Sequence, residues 1–243
     1  MPKIDNLKIK IFADGADPKK IYELNKIDYI KGFTTNPTLM RKAGITNYKN
    51  FAIEILKNIK EKPISFEVFS DEINIMEDQA KEIASWGKNV NVKIPITNTK
   101  GESTVSLVGK LSKQGIICNV TAIFTLEQLN SILNVLNPDT PTILSVFAGR
   151  IADSGIDPIT IMAKSVKVSK AKPKVSILWA STREVINIFQ ADSIGCHIIT
   201  VPHELLNKLS NVGKSSESFS LETVEGFYQD AKKAGYSINI KKK

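Results

Sequence analysis

Eight short, β-branched, apolar runs alternate with segments of helical spacing, and this alternation restricts the fold more than any other feature of the chain. The runs are Lys8–Ala13, Tyr29–Phe33, Ile64–Phe69, Val90–Ile94, Ile116–Val120, Thr142–Phe147, Val175–Trp179 and Cys196–Val201. They are apolar at consecutive positions, as strands covered by helices on both faces are. The helical segments between them include Pro18–Asn25, Phe51–Glu61, Ile75–Trp86, Gly101–Lys113, Leu126–Leu136, Pro158–Val168 and Arg183–Ala191. Most strand starts fall about 20 to 35 residues apart, which suits one strand–helix unit.

Helix starts are marked by their chemistry. Asp17-Pro18, Asn36-Pro37 and Asp157-Pro158 each place a capping side chain before a proline at the first helical position. Thr125 with Gln128, and Ser181 with Glu184, have capping-box spacing. Eight such units without a linker predict one α/β domain over residues 1–243. Its architecture would be a closed (β/α)8 TIM barrel, with a C-terminal helix over about residues 217–235. An open doubly wound sheet is the alternative, weakened because no GxGxxG turn follows the first run.

Composition limits the partners. Apolar residues make up 42% of the 243, enough for a core, and no run approaches the roughly 18 apolar residues of a membrane helix. The opening Met1-Pro2-Lys3-Ile4-Asp5 lacks an apolar signal core, so a cytoplasmic protein is expected. Cys118 and Cys196 read as buried hydrophobes and not as a disulfide. The net charge of +8 comes mainly from lysines scattered over helical segments, with no aromatic–basic ladder. A small anionic ligand fits this charge as well as nucleic acid does and needs only a few well-placed charges, and Lys241-Lys242-Lys243 reads as a solvated tail. His197 and His203 form no metal-ligand array, so no metal site is read here, and His197 reads as a satisfied interior histidine. Gly149 and Gly155 read as turn glycines.

Lys93, in Asn91-Val92-Lys93-Ile94-Pro95, is the residue that most needs an explanation. Burying an ammonium without a partner is costly, and a desolvated amine is a nucleophile toward carbonyls. A lysine at a strand end that snorkels its head to solvent is the other reading. The remaining strand ends help decide. In a barrel of this kind the active site lies at the C-terminal ends of the strands. There the chain places Asp14, Thr34-Thr35-Asn36, Glu67, Lys93, Asn119 with Thr121, Ser145 then Arg150, and Ser181 with Arg183. Seven of the eight strands thus send polar groups to one end, which a packed core does not require. Each also has a structural reading: Asp14 as a turn former, Glu67 as an ion-pair partner of Lys93, Asn36 and Ser181 as helix caps, and the arginines as surface residues.

These residues resemble those of the transaldolase family, class I Schiff-base enzymes related to fructose-6-phosphate aldolases. The resemblance rests on Phe12-Ala13-Asp14, Thr34-Thr35-Asn36-Pro37, Phe66-Glu67-Val68, Val92-Lys93-Ile94-Pro95, Cys118-Asn119-Val120-Thr121, Ser145-Val146-Phe147-Ala148-Gly149-Arg150 and Ala180-Ser181-Thr182-Arg183, in family order. It implies that Lys93 forms the imine, that Asp14 is the acid/base at the C4 hydroxyl, and that Glu67 and Thr121 position the water of imine formation and hydrolysis. It further implies that Asn36 and Asn119 contact the dihydroxyacetone unit, that Thr34, Ser145 and Phe147 also bind substrate and that Arg150, Ser181 and Arg183 hold the phosphate, with no metal or organic cofactor because the imine is the electron sink. The implied reaction moves a dihydroxyacetone unit from sedoheptulose 7-phosphate to glyceraldehyde 3-phosphate, in the pentose phosphate pathway. A fructose-6-phosphate-type aldolase is the nearest alternative. Those aldolases tend to carry glutamine and tyrosine where this chain has Glu67 and Phe147. A non-catalytic barrel binding a sugar phosphate or nucleic acid is the alternative from another class. A homo-oligomer is left open.

Overall fold

The computed structural model describes residues 4–238. The Lys241–Lys243 run and the first three residues of the N-terminal stretch lie outside the described residues. Eight strands form one closed, all-parallel barrel in chain order. They are β1 (Lys10–Asp14), β2 (Ile30–Thr34), β3 (Ile64–Glu67), β4 (Val90–Pro95), β5 (Cys118–Ile123), β6 (Thr142–Val146), β7 (Val175–Trp179) and β8 (Ile198–Pro202). The barrel closes where β1 pairs with β8, Lys10 opposite Ile198 through Asp14 opposite Pro202.

The helices between strands are α1 (Pro18–Asn25), α2 (Pro37–Lys42), α3 (Tyr48–Asn58), α4 (Ile73–Ser85), α5 (Val105–Lys113) and α6 (Leu126–Val135), followed by α7 (Ala148–Asp153), α8 (Pro158–Ser169) and α9 (Ile186–Ser193). After β8 come α10 (His203–Leu206) and α11 (Ser216–Lys233). The Asp17 and Asp157 carboxylates and the Asn36 side chain accept from backbone amides of α1, α8 and α2, each with proline at the helix start. Thr125 and Gln128 form the expected capping box on α6. Such caps each contribute about 1 kcal/mol and set where the chain leaves the barrel rim. None of the residues of α11 is buried, and Phe219, Phe227 and Tyr228 are exposed on it.

Alternation divides the core in two. Ile11, Ala13, Phe33, Val92, Ile94 and Trp179 pack outward against the helices. Phe12, Ile143, Leu178, Ala180 and Ile198 form a separate apolar cluster. The Phe12 ring takes the space a side chain at Gly32 would fill, since a β-carbon there would lie 2.6 Å from it.

Several boundaries differ from the sequence reading. β1 starts at Lys10 and not Lys8, because the Lys8 and Ile9 amides donate to Asp192 Oδ1, both at 2.8 Å. Ser181 does not cap a helix with Glu184. Its φ is 65°, and α9 begins only at Ile186 with no side-chain cap. Gly149 is not a turn glycine but a residue of α7. A β-carbon on it would lie 1.5 Å from the Ser181 carbonyl oxygen, so the β7 loop reaches α7 only over a bare backbone. Gly155 does sit in a positive-φ turn, at 81°. Both cysteines are free and buried, and burial pushes each thiol up to about 12.

The Gly149 contact gives a direct test. Gly149→Ala should lower stability by about 1–3 kcal/mol or more, the range for forcing atoms into filled space. Urea unfolding would measure this, and an unchanged midpoint would show that the Ser181 loop yields freely.

Candidate active site

A cavity of about 150 Å³ opens at the C-terminal ends of the strands. Its lining includes Asp14, Thr34, Asn36, Lys93, Thr121, Ser145, Phe147, Arg150, Ser181 and Arg183, which sequence reasoning had selected. Glu67 and Asn119 lie outside this lining and act on it from the side and from below.

Lys93 is buried on β4, 8% exposed, so its head does not snorkel to solvent. Its Nζ lies 3.0 Å from Glu67 Oε2, directly across the β3–β4 pairing, and donates to the Thr35 carbonyl at 3.1 Å. Removing one partner of such a buried pair typically costs about 3–5 kcal/mol. Tyr48 fixes the backbone around the glutamate: its hydroxyl donates to the Glu67 carbonyl at 2.8 Å and accepts from the Glu67 amide at 2.6 Å. Burial raises the Tyr48 phenol far above its usual range.

Asp14 accepts from the Thr34 hydroxyl at 2.6 Å. Burial raises its pKa above 3.8, the Lys93 charge and the Thr34 hydrogen bond pull it back, and the Glu67 charge raises it further. The Thr34 oxygen lies 2.5 Å from the Thr200 oxygen. Because Thr34 has given its one proton to Asp14, Thr200 must be the donor in that contact. Thr200 is thus a site residue that sequence reasoning missed. Its signal was present: two-residue alternation places Ile198, Thr200 and Pro202 on one face of β8, and Ile198 belongs to the interior apolar cluster while Thr200 and Pro202 line the cavity. Thr182, which donates to the Thr200 carbonyl at 2.7 Å, was missed as well.

Beneath the cavity a polar chain crosses the barrel. Ser145 donates to Asn119 Oδ1 at 2.6 Å, and Asn119 Nδ2 donates to Ser65 Oγ at 3.0 Å. Asn119 is fully buried, and it holds the Ser145 hydroxyl in place. Thr121 Oγ1 is buried without a hydrogen-bond partner among the described residues. A buried hydroxyl left open beside a cavity can hold water or a polar ligand atom.

The side of the cavity that carries the arginines is built by α7 and the loop after β7. Arg150 stacks over Phe147, 5.4 Å from the ring centre, and Phe147 packs against Phe124. Arg183 donates through Nε at 3.0 Å and Nη2 at 2.6 Å to the two oxygens of Asp153, which orients its guanidinium. Both arginines line the cavity, as does Ser181. His197 accepts from the Ile177 amide through Nδ1 at 3.0 Å and takes no part in the cavity. Among the described residues no three His, Cys, Asp or Glu side chains converge as metal ligands would.

Known proteins resemble this chain. The profile of the family described as Transaldolase/Fructose-6-phosphate aldolase matches residues 11–242. A protein of Thermoanaerobacter sp. (strain X514) named "Probable transaldolase" is 35% identical over 234 residues, covering 95% of this chain and all of that protein. Another of that name, from Methanococcus maripaludis (strain C6 / ATCC BAA-1332), is 34% identical over 204 residues, covering 84% of this chain and 90% of its own. Among solved structures, 2,3-dimethylmalate lyase in its triclinic form superposes with a TM-score of 0.55 at 11% identity, covering 98% of this chain and 88% of that one. At that identity the likeness shows the barrel alone.

The raised Asp14 pKa has a consequence for stability. The native state binds the Asp14 proton more tightly than the unfolded chain does. As pH rises from 3.8 through the native pKa, ionising this buried carboxyl therefore lowers stability. Asp14→Asn should gain stability over the wild type as pH rises from about 4 to about 7, by chemical denaturation. A difference that stays constant over that range would contradict the assignment.

Proposed function

The chain belongs to the transaldolase/fructose-6-phosphate aldolase family, and we propose that within it the chain is a transaldolase moving a dihydroxyacetone unit between phosphorylated sugars. The observation that carries this reading is the placement of Lys93: a buried amine, held by Glu67 and the Thr35 carbonyl, in the same cavity as a buried carboxyl and two arginines. The Lys93 amine attacks the C2 carbonyl of the donor ketose and loses water to give an imine. Glu67 and the unpartnered Thr121 hydroxyl suit the positioning of that water. The Asp14 carboxylate then takes the C4 hydroxyl proton, the C3–C4 bond breaks, and its electrons pass into the imine as an enamine. The aldose leaves, an acceptor aldehyde enters, and the enamine carbon attacks it. Asp14 returns the proton to the new C4 hydroxyl, and water releases the product. The imine is the electron sink, so no step calls on a metal or an organic cofactor.

Sedoheptulose 7-phosphate as donor and glyceraldehyde 3-phosphate as acceptor fit this reading, with a place in the cytoplasmic pentose phosphate pathway. Arg150 and Arg183 supply charge-assisted donors for the phosphate, the strongest class of anion contact in a partly buried site. A fructose-6-phosphate-type aldolase would share Lys93 and Asp14. Glu67 and Phe147 favour transfer. The Phe147 ring, packed between Phe124 and Arg150, keeps that wall apolar, so the bound imine lacks a phenolic proton donor there and waits for an aldose.

Borohydride reduction in the presence of fructose 6-phosphate should add mass to the peptide holding Lys93 and to no other, and Lys93→Arg should be inactive because an arginine stays protonated. Labelling elsewhere would sink the mechanism. The second test compares rates. Transfer to an aldose should exceed release of free dihydroxyacetone by at least about tenfold, roughly 1.4 kcal/mol in barrier. Phe147→Tyr should raise the release reaction. Comparable wild-type rates would favour the aldolase.

A further inference from the structure

The opposite end of the barrel carries a second cavity, of about 590 Å³, that the reaction does not use. Its inner wall includes Phe12, Ile143 and Ile198 of the interior apolar cluster. Lys8, Lys10, Lys31 and Lys174 also line it, all exposed, and no carboxylate does. Lys174 lies 3.4 Å from Asp139, an exposed and weak pair, while Lys8, Lys10 and Lys31 make no salt bridge among the described residues. Like charges gather closely here. The Lys31 charge helps depress Lys62, which also lies near Asp28, and the Lys10 charge helps depress His197, though burial is the larger cause in both.

Asn91 belongs to the same lining. It stands two residues before Lys93 on β4 and lines this floor cavity while Lys93 lines the upper one. It is 5% exposed and adds a polar side chain to the inner wall of this cavity. The surrounding charge favours an anion.

We infer that the floor of the barrel is a binding site for a small anion bearing at least two phosphate groups, held by Lys8, Lys10, Lys31 and Lys174 and contacted by Asn91. Lysines bind phosphate as mobile point charges. A single phosphate would gain little from exposed ammonium groups in water, whereas several linked charges meet several lysines at once. The absence of a carboxylate from the lining argues against a cation. The site does not rest on the catalytic reading, and its test uses no turnover.

The experiment is calorimetric titration of the full chain with inorganic triphosphate and, separately, with a nucleoside triphosphate, in about 0.1 M salt to suppress diffuse attraction. Saturable binding is expected. It should weaken at least tenfold in the double variant Lys10→Gln/Lys31→Gln and persist in Lys10→Arg/Lys31→Arg. It should also persist in Arg150→Ala/Arg183→Ala, which removes the upper anion site. Equal affinity for the two probes would assign recognition to the phosphates alone. Tighter nucleotide binding would add the apolar wall at Phe12, and both results support the site. Binding that survives the glutamine variant but disappears in the arginine-to-alanine variant would assign the anion to the upper cavity and overturn the proposal, as would no saturable binding of either probe.

Discussion

Closure of the sheet between β1 and β8 is the constraint on which the site depends. The functional side chains come from positions far apart in the sequence, and no local interaction would bring them together. In a closed parallel barrel every strand points the same way, so all strand ends that carry polar groups meet at one rim. Alternation does the rest, since a side chain two residues further along a strand faces the same side. Phe12 lies in the interior plug and Asp14 in the cavity above it, and Ile198 and Thr200 repeat that relation on the neighbouring strand. The plug fits because Gly32 leaves room for the Phe12 ring. The apolar plug and the buried Asn119 chain thus underlie the active site, and the groups above them work at a low dielectric.

That low dielectric sets the electrostatic problem. A lysine, a glutamate and an aspartate share a small buried volume, and each charge is expensive there on its own. Glu67 and the Thr35 carbonyl compensate Lys93. Asp14 is compensated less completely: Thr34 donates to it and Thr200 must donate to Thr34, yet burial still holds its carboxyl above the usual range. A carboxyl with a raised pKa is suited to moving a proton in both directions. The strain is borne by the scaffold, whose strands are buried on both faces.

The two ends of the barrel hold their cationic side chains differently. At the upper rim two arginines are fixed, one by stacking on Phe147 and one by the Asp153 carboxylate. Fixed guanidinium groups give direction. At the floor the charges sit on exposed lysines, and no carboxylate joins them in the lining.

The sequence by itself determined the barrel, its strand order and most of the lining of the upper cavity. Strand runs, caps and strand-end polar residues are local signals, and eight repeats of them leave few ways to close a sheet. Asp17, Asn36, Thr125 and Asp157 cap helices as the spacing predicted, because a cap needs only its neighbours within three residues. Ser181 had the same local spacing and was misread. Its left-handed backbone is dictated by α7, where only the bare Gly149 lets the loop approach. The start of β1 depended on Asp192, more than 180 residues away in sequence. Thr200 was legible as a strand residue, but only barrel closure puts its hydroxyl beside Thr34 and thereby into the Asp14 network. Local chemistry fixes where each element starts and which face it buries. Long-range packing fixes which side chains meet, and so the choice between a cap and a cavity wall was made by tertiary structure alone.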